Sequence, residues 1–417
     1  MNEKVPVGWL KINVTDLVNV GRGYAFKNSD YCTAGNPIVR VTNISKANSL
    51  DLSNKVVYLA NDRATEFQSY QLRDDDFLLV MVGATIGKYA KVITKGKSLF
   101  LNQNMWRLSV INEQTNSQKF AIYGLQKVIE EFLRTMQGSA RDFLTQKEFG
   151  KTSISLPPLL EQKKIASILT SVDNVIETTQ RQINKLQDLK KANMNQLLTK
   201  GIGHTEFKDS ELGQIPKSWD VRTIGDIVNS KRPVTYGIVQ AGEHVPDGIP
   251  YIRVSDMKSD SLHPAKMMRT SPVIAKKFTR SRVLEGDIVY ALRGDVGKVL
   301  VVPRILEGAN LTQGTALISK SDSIETSFLY WCFDSSATRK QTYNMAKGST
   351  FVEMTLGNLK NIKIPVPACL EQSAIAKILD SIEGTISLKV EKFHKTQSLK
   401  KSLMQDLLTG KVRVKVN

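Results

Sequence analysis

The chain has 417 residues and a mass of 46.5 kDa, room for about two to three domains, so burial of a core is not limiting. Apolar residues at 41% and charged residues at 24% are ordinary for a globular chain and exclude wholesale disorder. Lys and Arg total 58 against 40 acids, a net charge of +18, which favours a polyanion, either nucleic acid or an anionic membrane surface.

The excess is +6 over residues 1–155, +3 over 156–201, +5 over 202–365 and +4 over 366–417. It is spread over every segment and is no basic tail. A membrane-surface role calls for one concentrated basic amphipathic helix, and none stands out. No apolar run approaches the roughly 18 to 20 residues of a membrane span. Met1-Asn2-Glu3-Lys4 lacks a basic segment followed by a hydrophobic one, so no secretory signal is expected. The expected location is the cytoplasm. Cys32, Cys332 and Cys369 are sparse and far apart, which argues against a disulfide framework. The histidines (His204, His244, His263, His394) are equally scattered, so no metal site is expected. Cys369 reads as a small packed side chain.

In chain order, the first 155 residues read as an α+β domain. Phe77-Leu78-Leu79-Val80-Met81-Val82 is a strand, Gly87-Lys88 a turn and 118–136 a helix. Pro157-Pro158 then introduces a segment with Ile165, Ile168, Val172, Ile176, Ile183 and Leu186 at helical spacing, closed by Gly201. A second α+β domain follows, with strands at Ile288–Leu292 and Lys298–Val302 and helix over 324–346. Pro365-x-Pro367 opens a last segment, with Ile375, Ile378, Ile382, Ile386, Val390 and Phe393 as its stripe and Gly410 at its end. Each of these two helices runs about 40 residues, roughly 60 Å at 1.5 Å per residue.

The two halves are copies. Residues 156–200 align without gaps on 366–410, with 19 identities in 45 positions. Leu160-Glu161-Gln162 answers Leu370-Glu371-Gln372, and Leu189-Lys190-Lys191 answers Leu399-Lys400-Lys401. Ahead of these blocks Pro6 and Trp9 answer Pro216 and Trp219, Gly87-Lys88 answers Gly297-Lys298, and Gly138-Ser139 answers Gly348-Ser349. A tandem duplication follows. One narrow stripe on so long a helix needs a partner, and the chain can return to pack the copies antiparallel. The alternative is two separate helices, each on its own domain, although the stripes outrun what a small domain's surface would cover.

Catalytic motifs are missing. No phosphate loop ending in Gly-Lys-Ser/Thr occurs, and Gly21-Arg22-Gly23 or Gly201-Ile202-Gly203 alone are weak signals. Nothing resembles the Asn/Asp-Pro-Pro-aromatic element with which amino-methyltransferases hold a base. Glu161-Gln162-Lys163, with Asp142 upstream, and Glu206-Phe207-Lys208 match a nuclease carboxylate pattern loosely. The copy of the first reads Glu371-Gln372-Ser373, so its lysine is not part of the shared design. Glu161 fits better in a first helical turn, facing the dipole.

Binding candidates are clearer. Lys266, Arg269, Lys276, Lys277, Arg280 and Arg282 fall in one stretch without an acid. That stretch is either a solvated loop or a phosphate-tracking, base-reading one. The counterpart in the first domain contains Arg63, Arg73, Lys88 and Lys91, along with Lys95 and Lys97, but Asp74-Asp75-Asp76 interrupts it. Lys88 and Lys298 follow glycines in turns that either present a cation to a phosphate or are merely turns, and Arg293 is a further DNA-binding candidate.

Together these features resemble the specificity subunit of type I restriction-modification systems. The residues responsible are Leu156-Pro157-Pro158-Leu159-Leu160-Glu161-Gln162-Lys163-Lys164-Ile165-Ala166 and its copy from Ile364 to Ala376. The Leu-Leu-Thr helix ends and Glu211-Leu212-Gly213-x-Ile215-Pro216-x-x-Trp219 also match. The resemblance covers essentially the whole chain. It implies an α+β fold of two target recognition domains, 1–155 and 202–365, joined by spacer helices in 156–201 and 366–417 that form an antiparallel coiled coil with pseudo-two-fold duplication. It further implies that each domain reads half of a bipartite, asymmetric double-stranded DNA site. The helices would set the spacing and dock two adenine-N6 methyltransferase subunits. The subunit would be non-catalytic, with S-adenosylmethionine bound by the methyltransferase subunits, and ATP and Mg²⁺ used by the restriction (motor-nuclease) subunits. A related expectation is the recognition subunit of a fused modification-restriction enzyme; a stand-alone nuclease or methyltransferase is the remaining alternative. The half-sites would lie about one DNA turn or somewhat more apart, at roughly 34–36 Å per turn.

An Ile176→Asp substitution is expected to alter assembly or half-site spacing and to leave half-site preference unchanged. Unchanged complex formation together with unchanged spacing, read from size-exclusion profiles and the modified sites, would count against a coiled coil.

Overall fold

The computed structural model describes residues 5–45, 48–136, 145–258, 264–346 and 352–416. Gly138-Ser139, Gly348-Ser349, Asp142 and His263 lie outside the described residues. Two compact units are present, residues 1–179 with 392–417 and residues 180–391. Each holds one α+β domain and a part of both long helices.

In the first unit an antiparallel sheet has the order Val18–Arg22, Met105–Val110, Phe77–Val80, Tyr89–Lys91. Its Phe77, Leu79, Trp106 and Leu108 pack against Ala121, Leu125 and Ile129 of the helix Gln118–Met136. The alternate residues Leu78 and Val80 face a second core with Val39, Leu99 and Leu101, so the sheet is buried on both faces and reads as a continuous apolar run. A second sheet has the order Val57–Leu59, Asn36–Val39, Leu99–Leu101, Gln71–Leu72, its two central strands parallel.

The second unit repeats this plan. Thr235–Tyr236, Thr315–Ile318, Ile288–Ala291 and Val299–Val301 form the antiparallel sheet. Arg269–Thr270, Ile249–Ile252 and Asn310–Leu311 form the second, again with one parallel pair. The helical stretch expected over 324–346 is two helices, Thr326–Asp334 and Ser336–Met345. Ser335 is extended, and its hydroxyl accepts from the Thr338 N–H, a cap that starts the second helix anew.

The long helices are Leu159–Lys200 and Cys369–Thr409. Each ends at a glycine with positive φ, +65° at Gly201 and +71° at Gly410, the usual exit from a helix. Cys369 opens its helix exposed and is not the packed side chain expected. Cys332 is buried, and that burial pushes its thiol pKa up.

Inside each unit the helix segments run antiparallel. In the first, Asp173 pairs with Lys400 at 2.7 Å, and Ile165 and Leu169 share a cluster with Leu403 and Leu407. In the second, Lys190 pairs with Glu383 at 2.8 Å, and Leu197 shares a core with Ile375 and Leu379. The covered positions follow three- and four-residue steps, the heptad rhythm of a coiled coil. Val172, Ile176, Leu186, Ile382, Val390 and Phe393 are half-buried on this stripe, and Ile183 and Ile386 are buried. Ile168 is half-buried. Ile378 departs from expectation: it is 39% exposed and Leu379 is buried in its place. The seam also takes polar residues, with Thr179 buried and Lys190 and Lys400 half-buried.

The repeated Leu-Glu-Gln explains how each domain grips its helix. Glu161, 2% exposed, accepts from the Trp9 indole at 3.0 Å and from Arg413 at 2.7 and 2.8 Å. Glu371 accepts from the Trp219 indole at 3.0 Å and from the Ile202 N–H at 3.0 Å, and pairs with His204 at 2.9 Å. Gln162 accepts from the Ser117 N–H at the entry to the domain helix and donates to the Pro157 carbonyl. Gln372 does the same with the Glu325 N–H and the Pro367 carbonyl.

Glu161→Ala strands the Trp9 indole and the Arg413 guanidinium. It is expected to destabilise the protein by about 1–3 kcal/mol, the cost of leaving the buried Trp9 indole unpaired. A denaturation midpoint equal to wild type, read by tryptophan fluorescence, would refute that role.

Candidate nucleic-acid interface

In the second unit the basic stretch is built and anchored. Ser271 caps the short helix Pro272–Lys277, accepting from the Ile274 N–H, and a 3-10 turn follows at Thr279–Ser281. The Asn310 amide donates to the Phe278 carbonyl, and Thr270 donates to the Ala241 carbonyl. Arg232 binds the buried Asp287 through both carboxylate oxygens at 2.8 Å and donates to the Arg282 carbonyl. These ties make the stretch an ordered ledge.

Its cations divide by environment. Lys266, Lys276, Lys277 and Arg282 are exposed, and their side chains carry no ion pair among the described residues. Arg280 is exposed with its guanidinium over the Tyr236 ring at 5.8 Å. Arg269 is half-buried, donating to the Gly248 carbonyl at 3.0 Å. Arg293 is exposed but pairs with Glu353 at 2.8 Å. Lys298 follows Gly297 in the tight turn between Ile288–Ala291 and Val299–Val301.

The first unit is less open. Arg63 pairs with Asp30 at 2.8 Å and Glu66 at 3.0 Å and lies over Phe67. That hydrogen bond, and then the Lys27 N–H, hold Asp30 below the usual carboxylate range. Lys91 pairs with Asp75 at 2.8 Å. Both are committed to the domain's own acids. Arg73 is exposed, and Lys88 sits half-buried in the turn after Gly87. Asp76 is buried below the loop, accepting from the Arg73 N–H at 2.8 Å. Desolvation raises its pKa. The Asp74–Asp76 run is thus largely absorbed by local bonds, with Asp74 held by Thr94.

Two exposed residues, one in each unit, were not among the binding candidates read from the sequence. Arg22 is exposed at the end of strand Val18–Arg22, and Tyr236, 37% exposed, ends Thr235–Tyr236. Both precede a glycine, but 214 positions separate them where the helices repeat at 210, so the gap-free alignment hides the match.

The catalytic matches dissolve into structure. Glu161 is a tie between segments, and Glu206 is exposed and paired with Lys217 at 3.2 Å. Among the described residues no group of three or more His, Cys, Asp and Glu is placed to hold a metal ion. No helix among them is long and apolar enough to cross a membrane.

The family described as type I restriction modification DNA specificity domain matches residues 6–188 and again 216–400. The chain is 29% identical over 424 residues to the type I restriction enzyme MjaVIII specificity subunit of Methanocaldococcus jannaschii, covering 99% of this chain and 95% of that one. It is 24% identical over 428 residues to the EcoBI specificity subunit of Escherichia coli, covering 97% and 87%. In fold it is similar to the crystal structure of a type I restriction-modification S subunit from M. genitalium, with a TM-score of 0.62, 15% identity and coverage of 98% and 97%.

Replacing Lys276 and Lys277 by alanine is expected to flatten the salt dependence of duplex DNA binding. The log–log slope should fall by about 0.9 per lost phosphate contact. An unchanged slope in a fluorescence-anisotropy titration would take the ledge off the DNA.

Proposed function

The chain belongs to the type I restriction modification DNA specificity domain family, and on that premise we propose that it is the DNA-reading subunit of a type I restriction-modification complex. Each domain recognises one half of a bipartite site. The long helices set the distance between the halves and dock two adenine-N6 methyltransferase subunits. The carrying observation is the pair of domains that share one plan and differ in surface residues, each gripping its helices through the same Glu–Trp tie. Domains alike in scaffold and unlike in surface read different half-sites, so the full site is asymmetric.

The chemistry is assigned to partners. S-adenosylmethionine belongs to the methyltransferase subunits, and ATP and Mg²⁺ to restriction subunits. This chain supplies position and sequence choice. Its net charge of +18 supplies salt-sensitive affinity for any duplex, and groove-edge contacts supply discrimination. The target adenine leaves the stack to enter a partner's pocket.

Co-expression with a methyltransferase subunit, followed by mapping of N6-methyladenine across the host DNA, tests this reading. The expected result is one asymmetric motif of two short specified blocks separated by unread base pairs, absent when this chain is omitted. A continuous motif, or methyl transfer or cleavage by the purified chain alone, would overturn it.

A further inference from the structure

The rows of the two antiparallel sheets place different chemistry at one equivalent position. In the first unit Arg22, Trp106, Leu79 and Tyr89 lie opposite one another across the four strands. The next row outward joins Met105, Val80 and Lys88, where the Val80 N–H donates to the Lys88 carbonyl at 2.8 Å. In the second unit the same row is Tyr236, Ala316, Tyr290 and Val299. The row beyond it joins Thr315, Ala291 and Lys298, where the Ala291 N–H donates to the Lys298 carbonyl at 2.8 Å. Arg22 and Tyr236 therefore occupy one place in the plan, at the sheet end that also carries the shared Gly-Lys turn.

Backbone packing fixes that place. A Cβ on Gly23 would fall 1.9 Å from the Asn102 carbonyl oxygen, and one on Gly237 would fall 1.9 Å from that of Leu311. Only glycine lets the chain pass there, and the bridges Tyr24–Asn102 and Ile238–Thr312 lock it immediately afterwards. The residue before each glycine is thus held on a strand end whose course cannot drift. Arg22 has no hydrogen-bond or ion-pair partner among the described residues. Tyr236 has the Arg280 guanidinium over its ring at 5.8 Å, a cation–π contact that places the cation at the edge of the ledge.

Resting on the reading given under Proposed function, we propose that Arg22 in the first domain and the Tyr236–Arg280 pair in the second are the specificity-determining groups of their half-sites. Lys88 and Lys298, at the opposite edge of the same sheet end, are the accompanying phosphate contacts. A guanidinium held at a rigid edge suits the O6/N7 edge of guanine, the commonest specific contact in the major groove. The cations common to both domains position the duplex, and the position that differs between them reads it.

The complex with its methyltransferase subunit is compared as wild type, Arg22→Ala, Arg22→Lys, Tyr236→Phe and Arg280→Ala, by mapping methylated sites and by binding to single-base variants of the site. Arg22→Ala is expected to relax one guanine-containing position of one half-site, with about a 10- to 100-fold loss of discrimination there and none in the other half. Arg280→Ala should do the same in the opposite half. Tyr236→Phe keeps the stacking ring and should keep preference, and Arg22→Lys should restore part of it. Unchanged preference at every position overturns the inference and leaves the proposed function intact. A uniform loss across all sites, with a salt slope reduced by about one, makes these residues phosphate contacts and overturns it equally. A wild-type complex with no bipartite motif removes the proposed function itself.

Discussion

A carboxylate in the first turn of each long helix joins three parts of the chain that are distant in sequence. Glu161 holds the domain's entry tryptophan Trp9 and, through Arg413, the segment after the other helix. Glu371 holds Trp219 and, through His204 and the Ile202 N–H, the segment after the first helix. A carboxylate so placed is stable only with its hydrogen-bond partners supplied. Each tie therefore requires the start of one helix beside the end of its copy. Antiparallel pairing is built into the anchor as well as into the apolar stripe. The chemistry of the third partner differs, an arginine fork in one unit and an imidazole with a backbone N–H in the other, while the carboxylate and indole are retained.

The seam carries the same exchange. The Asp173–Lys400 pair has Lys190–Glu383 as its image, each residue 210 positions from its counterpart and the roles of the two helices reversed. This is the signature of an isologous contact between duplicated segments. Both lysines also lie over an aromatic ring of their own domain, Lys400 over Tyr123 at 5.7 Å and Lys190 over Trp331 at 4.8 Å. The Tyr123 hydroxyl donates to Asp173 at 2.7 Å, and burial raises its pKa. A slip of one heptad would set Lys190 against Ala376 or Val390 in place of Glu383, and Lys400 against Ala166 or Gln180 in place of Asp173. Polar groups along a seam thus select one register at some cost in stability, as a single polar position does in shorter coiled coils.

Much of this was legible because helical period and exact repetition are local signals. The ends of both helices, their stripes and the Leu-Glu-Gln blocks follow from spacing alone. Ile378 misled because a step of three from Ile375 fits a helical stripe as well as a step of four, and packing alone shows that Leu379 is the buried one. Lys190 and Lys400 were legible as repeats but not as seam residues, since their burial depends on an acid about 190 or more positions away and on a ring from the adjoining domain. Among the surface cations, composition could not separate Arg63, which Asp30 and Glu66 neutralise, from Lys276, which stands free on its ledge among the described residues. Partner choice is tertiary information.

The structure also separates what is common to the two halves from what is particular to each. The ties, the capping glutamines, the seam pairs and the Gly-Lys turns recur with the same geometry. At the strand end fixed by Gly23 or Gly237, by contrast, one domain has an arginine whose side chain is unpartnered among the described residues and the other a tyrosine bearing an arginine. The residues that fasten a domain to its helices are therefore not those proposed to read a duplex. A substitution at the exposed strand end leaves the helix-start carboxylate and its partners untouched, because no bond among the described residues connects them. Under the proposed function, preference for a half-site can change while the scaffold that sets spacing is conserved in its energetics, which is the arrangement a two-headed reader of DNA requires.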